Sequence, residues 1–376
     1  MKKTVWIMLI ASLAWVLSAC NTESGSTDDS HTLEVYTTVY PLQDFAEKIG
    51  GEYVTVETVY PPGADEHTYE PSQQDMIKLA EADLFFYIGL GLEGFVNNAT
   101  NVLQSQDLKM VAAANYLSDE QLAGSAEDHH DEEHAHDEEE HAHDEEEHAH
   151  DEEEHAHDEE EHAHDEEEHA HDEEEHAHDD EEHAHDEEEH AHDGHEGHDH
   201  GDTDPHVWLD PVFSQSLAES VKDSLIEAMP EQEEYFTANY EELISQLDEL
   251  DHKFEEVAEN AQLNQLFVSH AAYGYWESRY GFEQNAIAGI STSDEPSQRE
   301  LTKLIEHAKE NNVEYVLFEQ NVSSNLTEVI QQEIGAEALK LHNLSVLTEE
   351  NIDNNEDYFS LMEKNIETLR TALKAE

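Results

Sequence analysis

The sequence predicts an α/β protein with two lobes, each a mainly parallel four-stranded sheet flanked by helices, joined by one long rigid helix. The main observation is that short apolar or β-branched runs alternate with helical patterns in both halves of the chain, which is typical of parallel sheets. A second is a mid-chain stretch of helical periodicity. A third is a block of acidic residues and histidines that interrupts the folded part and lacks the large apolar residues that a core requires.

The N-terminal lobe is predicted to span residues 33–229. Its first strand is the clearest, because Leu-Glu-Val-Tyr-Thr-Thr-Val alternates and is rich in β-branched residues. Further strands alternate with short helices up to the acidic block. The predicted strands cover residues 33–39, 53–60, 83–88 and 109–113, and the predicted helices cover residues 41–49, 72–81 and 95–103.

Residues 230–261 are predicted to form the linking helix. No glycine or proline follows Pro230 before Asn260, and tyrosine, leucine and phenylalanine recur at roughly helical spacing. One helix of this length would extend about 45 Å at 1.5 Å per residue, which makes it a stiff connector. The C-terminal lobe, residues 262–376, resumes the alternation, although only three of its strands are located from the sequence. These are residues 266–269, 282–287 and 313–318, with one helix opened by Ser297 and a last helix through Met362 and Leu369.

The N-terminus has the pattern of a targeting segment. Residues 1–19 are predicted to be a signal peptide, because a basic start precedes an apolar stretch that is too short to span a membrane. The stretch ends in Leu-Ser-Ala-Cys, which resembles a bacterial lipobox with Cys20 as the lipidated residue. Two acyl chains would hold the protein on a bilayer where one holds only marginally. Residues 20–32 would then be the lipidated cysteine and a flexible tether.

The charge balance excludes one class of partner. The 376 residues carry a formal net charge of −80, so a nucleic acid would be repelled. The single cysteine excludes an internal disulfide and a cysteine-rich zinc module. Of the 95 acids and 30 histidines, 41 acids and 23 histidines lie between Glu127 and Asp202, together with no lysine or arginine.

The acidic block, residues 127–202, is a repeat. The unit His-Ala-His-Asp-Glu-Glu-Glu begins at His134 and returns every seven residues as far as His190. A helix of this sequence would stack acids on acids and have no apolar face, so we expect disorder in the absence of metal. We expect the block to capture zinc weakly and pass it to a neighbouring site, less effectively as the pH falls through the histidine range. The alternative is a tolerated repeat expansion in a surface loop.

Three histidines outside the block are candidate metal ligands. Molecules and ions that bind to open parallel sheets usually lie beyond the carboxyl ends of the strands. His67 follows the second strand, His206 lies where the chain re-enters the folded part, and His270 ends the first strand of the second lobe. Neutral imidazoles favour zinc over manganese or calcium. Three nitrogens leave one tetrahedral position, for which Glu66, Glu319 and water are candidates. The same set also describes a catalytic zinc, so a zinc hydrolase stays open.

One glycine-rich loop fits a different chemistry. Gly89-Leu-Gly-Leu-Glu-Gly94 matches the dinucleotide fingerprint and follows a predicted strand. No acid stands at the end of the next strand, where residues 109–113 lead into Ala114 and Asn115. A protein outside the cytoplasm also has little use for a nicotinamide cofactor, so we do not expect one here.

Four motifs in order carry a family resemblance. They are Asp-Glu-His-Thr-Tyr-Glu-Pro at 65–71, Asp-Pro-His-Val-Trp-Leu-Asp-Pro at 204–211, Val-Ser-His-Ala-Ala-Tyr-Gly-Tyr at 268–275 and Gly-Ile-Ser-Thr-Ser-Asp-Glu-Pro-Ser at 289–297. The chain resembles the metal-binding lipoproteins of bacterial ABC importers, specifically the zinc-binding ZnuA-like or AdcA-like branch. The resemblance covers nearly all of residues 33–376. It implies two lobes joined by a rigid helix, with the ion in the cleft between them.

The resemblance also implies the ligand set. His67, His206 and His270 match the family's three histidines. Manganese-binding members of the family are similar but have a glutamate at the third position, so His270 supports zinc. The fourth ligand departs from the pattern. Some relatives have an acid in the C-terminal loop, where this chain has Ser345, whereas others use the acid before the first histidine, here Glu66, or water.

The expected function is that of an extracytoplasmic, non-enzymatic zinc-binding lipoprotein. It would be lipid-anchored in the cell membrane through Cys20 and deliver Zn²⁺ to a membrane ABC permease and its ATPase. The alternatives are a manganese importer component, an adhesin of the same fold, or a zinc hydrolase.

Overall fold

The predicted signal peptide at 1–19, the lipidated Cys20, nearly all of the predicted tether at 20–32 and the predicted insert at 127–202 lie outside the described residues. The computed structural model describes residues 32–103, 107–123, 203–294, 296–320 and 325–375.

The first sheet has four parallel strands in the spatial order β2-β1-β3-β4. The alternation of the first strand is reflected in its burial, since Leu33, Val35 and Thr37 point inward. The strands are β1 Leu33–Thr37, β2 Val54–Thr58, β3 Leu84–Tyr87 and β4 Lys109–Ala112.

The second sheet repeats this topology, with four parallel strands in the order β6-β5-β7-β8. Both sheets therefore have a topological switch point between their two central strands. The predicted strands are all present, with ends shifted by one or two residues, and the fourth strand that the sequence did not locate is β8 at the sheet edge. The strands are β5 Gln265–His270, β6 Glu283–Ala288, β7 Tyr315–Phe318 and β8 Glu337–Lys340.

Helices cover the sheets, and several begin at a capping residue. Ser297 caps the helix that it was predicted to open: its Oγ accepts from the backbone nitrogen of Glu300, and the Glu300 carboxylate accepts from the backbone nitrogen of Ser297. Among the described residues, no helix has both the length and the apolar content to cross a bilayer. The helices are α1 Tyr40–Gly50, α2 Gln73–Ala80, α3 Val96–Leu103, α4 Asp119–Ala123, α5 Pro211–Ala228, α6 Glu233–Asn260, α7 Gly274–Tyr280, α8 Gln298–Glu310, α9 Asn325–Ile334, α10 Glu349–Asp353 and α11 Tyr358–Ala372.

In the sequence, the long helix α6 lies between the strands of the first sheet and those of the second, as predicted. Its 28 residues follow a short 3₁₀ turn at Pro230–Gln232. One apolar stripe is buried along it, which explains its stability despite a charged outer face. The buried side chains of the stripe are Phe236, Leu243, Leu247, Leu250, Phe254 and Val257.

The main apolar core includes residues of both lobes. Val35 and Phe86 of the first sheet belong to the same buried cluster as Val268 of the second sheet and Tyr358 of α11. A second, smaller cluster lies in the C-terminal lobe alone. It consists of Phe267, Ile287, Ala308, Val316, Ile330 and Ala336.

Candidate metal centre

His67 lies in the loop that follows β2, and the residues before it fix the loop. Oδ1 of Asp65 accepts hydrogen bonds from the backbone nitrogens of His67, at 3.0 Å, and Thr68, at 3.2 Å. The hydroxyl of Tyr60 donates to the carbonyl oxygen of Glu66 at 3.1 Å. The loop is thus held on both sides of the histidine, which presents a half-buried imidazole.

His206 is fully buried and is oriented by an aspartate two residues earlier. Oδ1 of Asp204 accepts from the backbone nitrogen of His206 at 2.9 Å and lies 2.7 Å from its Nδ1. A carboxylate at Nδ1 places the proton on that nitrogen and leaves Nε2 with its lone pair. The His206 ring is therefore set up to bind a cation through Nε2.

His270 is the last residue of β5 and stands at the switch point of the second sheet. Glu319 follows β7, the neighbouring strand, and its Oε1 lies 2.7 Å from Nδ1 of His270. Both side chains are buried. Adjacent parallel strands end at the same sheet edge, and this brings together two residues 49 positions apart. Glu319 therefore orients His270 as Asp204 orients His206.

The free nitrogens of the three histidines converge. Nε2 of His206 lies 3.2 Å from Nε2 of His67 and 3.2 Å from Nε2 of His270. One ligand atom from each of these residues and from Glu66 lies within 4.8 Å of all the others. Ligands about 2.0–2.1 Å from a tetrahedral ion are about 3.3 Å apart, so the spacing suits a four-coordinate zinc.

Of the two glutamates considered for the fourth position, the structure places Glu66 in the cluster and Glu319 beside it. Glu66 is buried, and its Oε1 accepts from Nδ2 of Asn343 at 3.0 Å. Glu319 has one oxygen at Nδ1 of His270 and the other at Nδ2 of Asn343. The hydroxyl of Ser345 donates to Oδ1 of Asn343 at 2.9 Å.

The electrostatics of the cluster differ from one histidine to the next. Burial and the two neighbouring imidazoles lower the pKa of His67 to about 3, so this ring stays neutral. Burial also disfavours the charged form of His270, but the carboxylates of Glu319, Glu66 and Asp204 together outweigh burial and raise its pKa. Burial raises the pKa of Glu66, against the opposing effect of His270. A divalent cation would favour the carboxylate form of Glu66 and the neutral form of His270.

Sequence reasoning missed three residues that organise this cluster. Asp204 and Asn343 were not singled out, and Glu319 was considered only as a ligand. A signal for Asp204 was available, because an aspartate stands two residues before both His67 and His206 and in each case accepts from the histidine's backbone nitrogen. No short-range pattern marks Asn343, whose partners are far away in the sequence.

Glu93, in the glycine-rich loop after β3, accepts hydrogen bonds from backbone amides at the start of that loop. Oε1 of Glu93 accepts from the backbone nitrogen of Ile88 at 2.7 Å and from Oγ1 of Thr38 at 2.8 Å. Its Oε2 accepts from the backbone nitrogen of Gly89 at 3.0 Å. The amides that would bind a phosphate in a dinucleotide site are thus used by a buried glutamate.

Comparison with known proteins identifies the family. Residues 35–372 match the family model described as ZnuA, zinc-uptake complex component A periplasmic. The chain belongs to the ZnuA family. The resemblance inferred from the four ordered motifs is therefore confirmed, and so is the two-lobed α/β fold.

Several characterised relatives carry zinc in their names. The zinc-binding lipoprotein AdcA of Streptococcus pneumoniae strain R6 is 28% identical over 368 residues, which is 98% of this chain and 60% of that protein. The high-affinity zinc uptake system protein ZnuA of Bacillus subtilis is 29% identical over 375 residues, covering 99% of this chain and 98% of that protein. This member of the ZnuA family thus spans about three fifths of the AdcA sequences that it matches.

Solved structures of the ZnuA family agree. The Zn(II)-bound ZnuA-like domain of Streptococcus pneumoniae AdcA matches with a TM-score of 0.61 and 27% identity, over 91% of this chain and 99% of that one. The metal-dependent lipoprotein YcdH of Bacillus subtilis matches with a TM-score of 0.62 and 25% identity, over 91% of this chain and 100% of that one.

Proposed function

We propose that this protein is the extracytoplasmic zinc-binding component of a zinc ABC importer and that it delivers Zn²⁺ to a membrane permease and its ATPase. The observation that carries the proposal is the convergence of the Nε2 atoms of three histidines with a carboxylate oxygen. Zinc would be the cargo of this site. The matched family is a transport family, and relatives named for zinc binding cover nearly the whole chain.

The donor set favours zinc over manganese. Three imidazole nitrogens and one carboxylate oxygen make a nitrogen-rich, four-ligand site, whereas manganese sites contain more oxygen ligands and more ligands in total. Asp204 and Glu319 fix two of the rings from outside. We therefore assign His67, His206, His270 and Glu66 as the zinc ligands.

We also propose that the protein is held on the extracytoplasmic face of the cell membrane by lipid on Cys20. The lipobox pattern supports this, as does the word lipoprotein in the name of the AdcA relative. The Cys20→Ala variant should move from the membrane fraction to the soluble extracytoplasmic fraction and should not incorporate labelled palmitate. Continued membrane retention and labelling of this variant would rule out the anchor.

The ligand assignment is tested by zinc titration of single-histidine variants. His67→Ala, His206→Ala and His270→Ala should each abolish the tightest zinc site in competition with a chelator of known affinity, and each should slow growth in zinc-depleted medium. His252→Ala is the matched control, because His252 is exposed and its Nδ1 lies 2.9 Å from a carboxylate oxygen of nearby Glu255, away from the cluster. Unchanged zinc affinity in the three variants would refute the assignment.

A further inference from the structure

Asn343 is a buried residue that joins the two carboxylates of the metal centre. Its Nδ2 donates to Oε1 of Glu66 at 3.0 Å and to Oε2 of Glu319 at 2.9 Å. Both hydrogens of the amide group are therefore used on the centre. Glu66 comes from the first lobe, whereas Asn343 and Glu319 belong to the second, so the amide closes a contact between lobes at the ion-binding side chains.

The orientation of the Asn343 amide is fixed from the opposite side. Its Oδ1 accepts from the backbone nitrogen of Ser345 at 3.1 Å, from Oγ of Ser345 at 2.9 Å and from Nε2 of Gln320 at 2.6 Å. A backbone N–H can only donate, so the oxygen of the amide must face Ser345 and the NH₂ group must face the carboxylates. The side chain has no freedom to exchange these roles.

The amide limits what Glu66 can offer to an ion. Oε1 of Glu66 is engaged by Asn343, and the backbone of Glu66 is held by Tyr60. The other oxygen is left for the cation. Glu319 is likewise prevented from turning inward, because its two oxygens are held by His270 and Asn343. The side chains then present three imidazole nitrogens and the second oxygen of Glu66 to an ion.

We propose that Asn343 is a positioning residue that sets the metal preference of the centre, because it holds Glu66 as a one-oxygen ligand and keeps Glu319 out of coordination. This inference rests on the proposed zinc function. Zinc accepts four ligands, whereas manganese requires more ligands and prefers oxygen. Releasing the two carboxylates would raise both the coordination number and the oxygen count, and would thus favour manganese.

The test compares Asn343→Leu and Asn343→Asp with Asn365→Asp. Leucine has a similar volume but no donor, and aspartate keeps the acceptor contacts with Ser345 and Gln320 while adding a carboxylate beside Glu66. Asn365 is an equally buried asparagine whose amide bonds to His342 and Met362 among the described residues, so its variant controls for the burial of a new carboxyl group. Zinc and manganese affinities are measured by chelator competition, and the zinc coordination number is measured by X-ray absorption on the full chain.

Both Asn343 variants should lower the ratio of zinc to manganese affinity by about tenfold or more, and the absorption spectrum should show added oxygen neighbours. Asn365→Asp should keep the wild-type ratio. Equal weakening of both metals with unchanged coordination would reduce Asn343 to a structural role and overturn the proposal, as would an unchanged ratio. If Asn343→Leu does not fold, the near-isosteric Asn343→Asp decides. Loss of zinc binding in His67→Ala, with a wild-type ratio in the Asn343 variants, would leave the proposed function intact and reject only this inference.

Discussion

The indole nitrogen of Trp208 donates a hydrogen bond to the carbonyl oxygen of Asn343, with 2.7 Å between the two atoms. Trp208 belongs to the segment that enters α5, so this bond links the two lobes directly behind the candidate metal centre. The backbone oxygen of Trp208 accepts from the hydroxyls of Tyr358 and Ser214. The ring also lies 5.4 Å from that of His206, measured between centroids. Trp208 thus contributes to the contact between the lobes and also packs beside the candidate ligand His206.

Trp208→Phe should weaken both the fold and the zinc site. It leaves the Asn343 carbonyl without its donor and removes part of a fully buried ring, at a cost of about 3 kcal/mol in the free energy of unfolding. The matched control is Trp276→Phe, since Trp276 is equally buried and donates to the carbonyl oxygen of Leu209 at 2.8 Å. Denaturant unfolding should show similar losses for both variants, but zinc titration should show the larger effect for Trp208→Phe. Equal effects on zinc would contradict this.

Zinc affinity should fall as the pH falls. Against the effect of burial, Glu319 and the nearby carboxylates of Glu66 and Asp204 raise the pKa of His270, so the ring holds a proton to higher pH than an ordinary histidine, and zinc must displace that proton. His67, with a pKa of about 3, contributes no such competition above about pH 5. Glu319→Gln should move the pH dependence of the zinc Kd to lower pH while weakening binding at neutral pH about tenfold. Titrations across the histidine range check this, and an unshifted profile would argue against Glu319 as the cause.

Two neighbouring tyrosines should respond oppositely to loss of the hydroxyl. Tyr273 and Tyr275 are both buried, and the Tyr275 hydroxyl donates to the carbonyl oxygen of Asp204 at 2.6 Å. Within the described ranges, the Tyr273 hydroxyl is buried without a hydrogen-bond partner. Tyr275→Phe should therefore cost about 1 kcal/mol, whereas Tyr273→Phe should be neutral or stabilising. Chemical denaturation of the two variants in parallel measures the difference, and a larger cost at Tyr273 would be the contrary result.

The buried His342 should make the fold sensitive to acid. Burial lowers its pKa to about 4, while Nε2 bonds to Asn351 and Nδ1 accepts from the backbone nitrogen of Leu344. The unfolded chain binds a proton below about pH 6.5 and the folded chain does not, so stability is lost as the pH falls from about 6.5 to 4, by roughly 3 kcal/mol. His342→Gln should be less stable at neutral pH but lose less on acidification. Thermal unfolding at several pH values tests this.

Protonation of Asp44 should change the free energy of unfolding in the opposite direction to protonation of His342. Burial raises its pKa to about 6, so the folded chain binds a proton before the unfolded chain does. Its contribution is present at low pH and is lost as the pH rises through about 6. Asp44→Asn should therefore steepen the acid-induced loss of stability. A shallower profile in this variant would mean that another group dominates the pH dependence.

Deleting residues 127–202 should separate two classes of zinc binding. The proposed tight centre consists of residues outside the repeat, so the shortened protein should keep one tight zinc ion. The weaker ions expected on the nine His-Ala-His pairs should disappear. Metal analysis and titration of both forms give the stoichiometry. Loss of the tight ion in the shortened protein would contradict the separate role predicted for the repeat.

Local patterns predicted most of the fold, and the exceptions have physical causes. The buried strands were located because apolar and β-branched residues are concentrated there. Strand β8, Glu-Ala-Leu-Lys, was missed because it is an edge strand whose side chains are mostly exposed, so it carries no burial signal. Helix α5 was likewise not located, although Asp210 and Pro211 form a recognisable start, with Asp210 accepting from the backbone nitrogens of the first turn.

The site was predicted to the extent that it follows from strand ends and family motifs. His67, His206 and His270 are brought together, and Glu66 joins them. Their outer partners were less accessible to sequence reasoning. Whether Glu319 binds an ion or orients His270 depends on side-chain directions at two adjacent strand ends. The contact of Asn343 with Glu66 spans 277 positions in the sequence. Such relations come from the tertiary structure alone.

The apolar cluster shared by the two lobes restricts how an ion can leave. Swinging the lobes apart would separate contacts such as that of Tyr358 with Phe45, whose ring centroids lie 5.1 Å apart, and would expose these rings to water at a cost that grows with the area exposed. A hinge opening of the two lobes is therefore disfavoured, because it would disrupt the apolar core that they share. Exit through small displacements of the rim avoids that cost, for example at the bond between Oγ1 of Thr292 and Oδ2 of Asp65, two residues from His67. The two lobes then keep their shared core while a bound ion leaves.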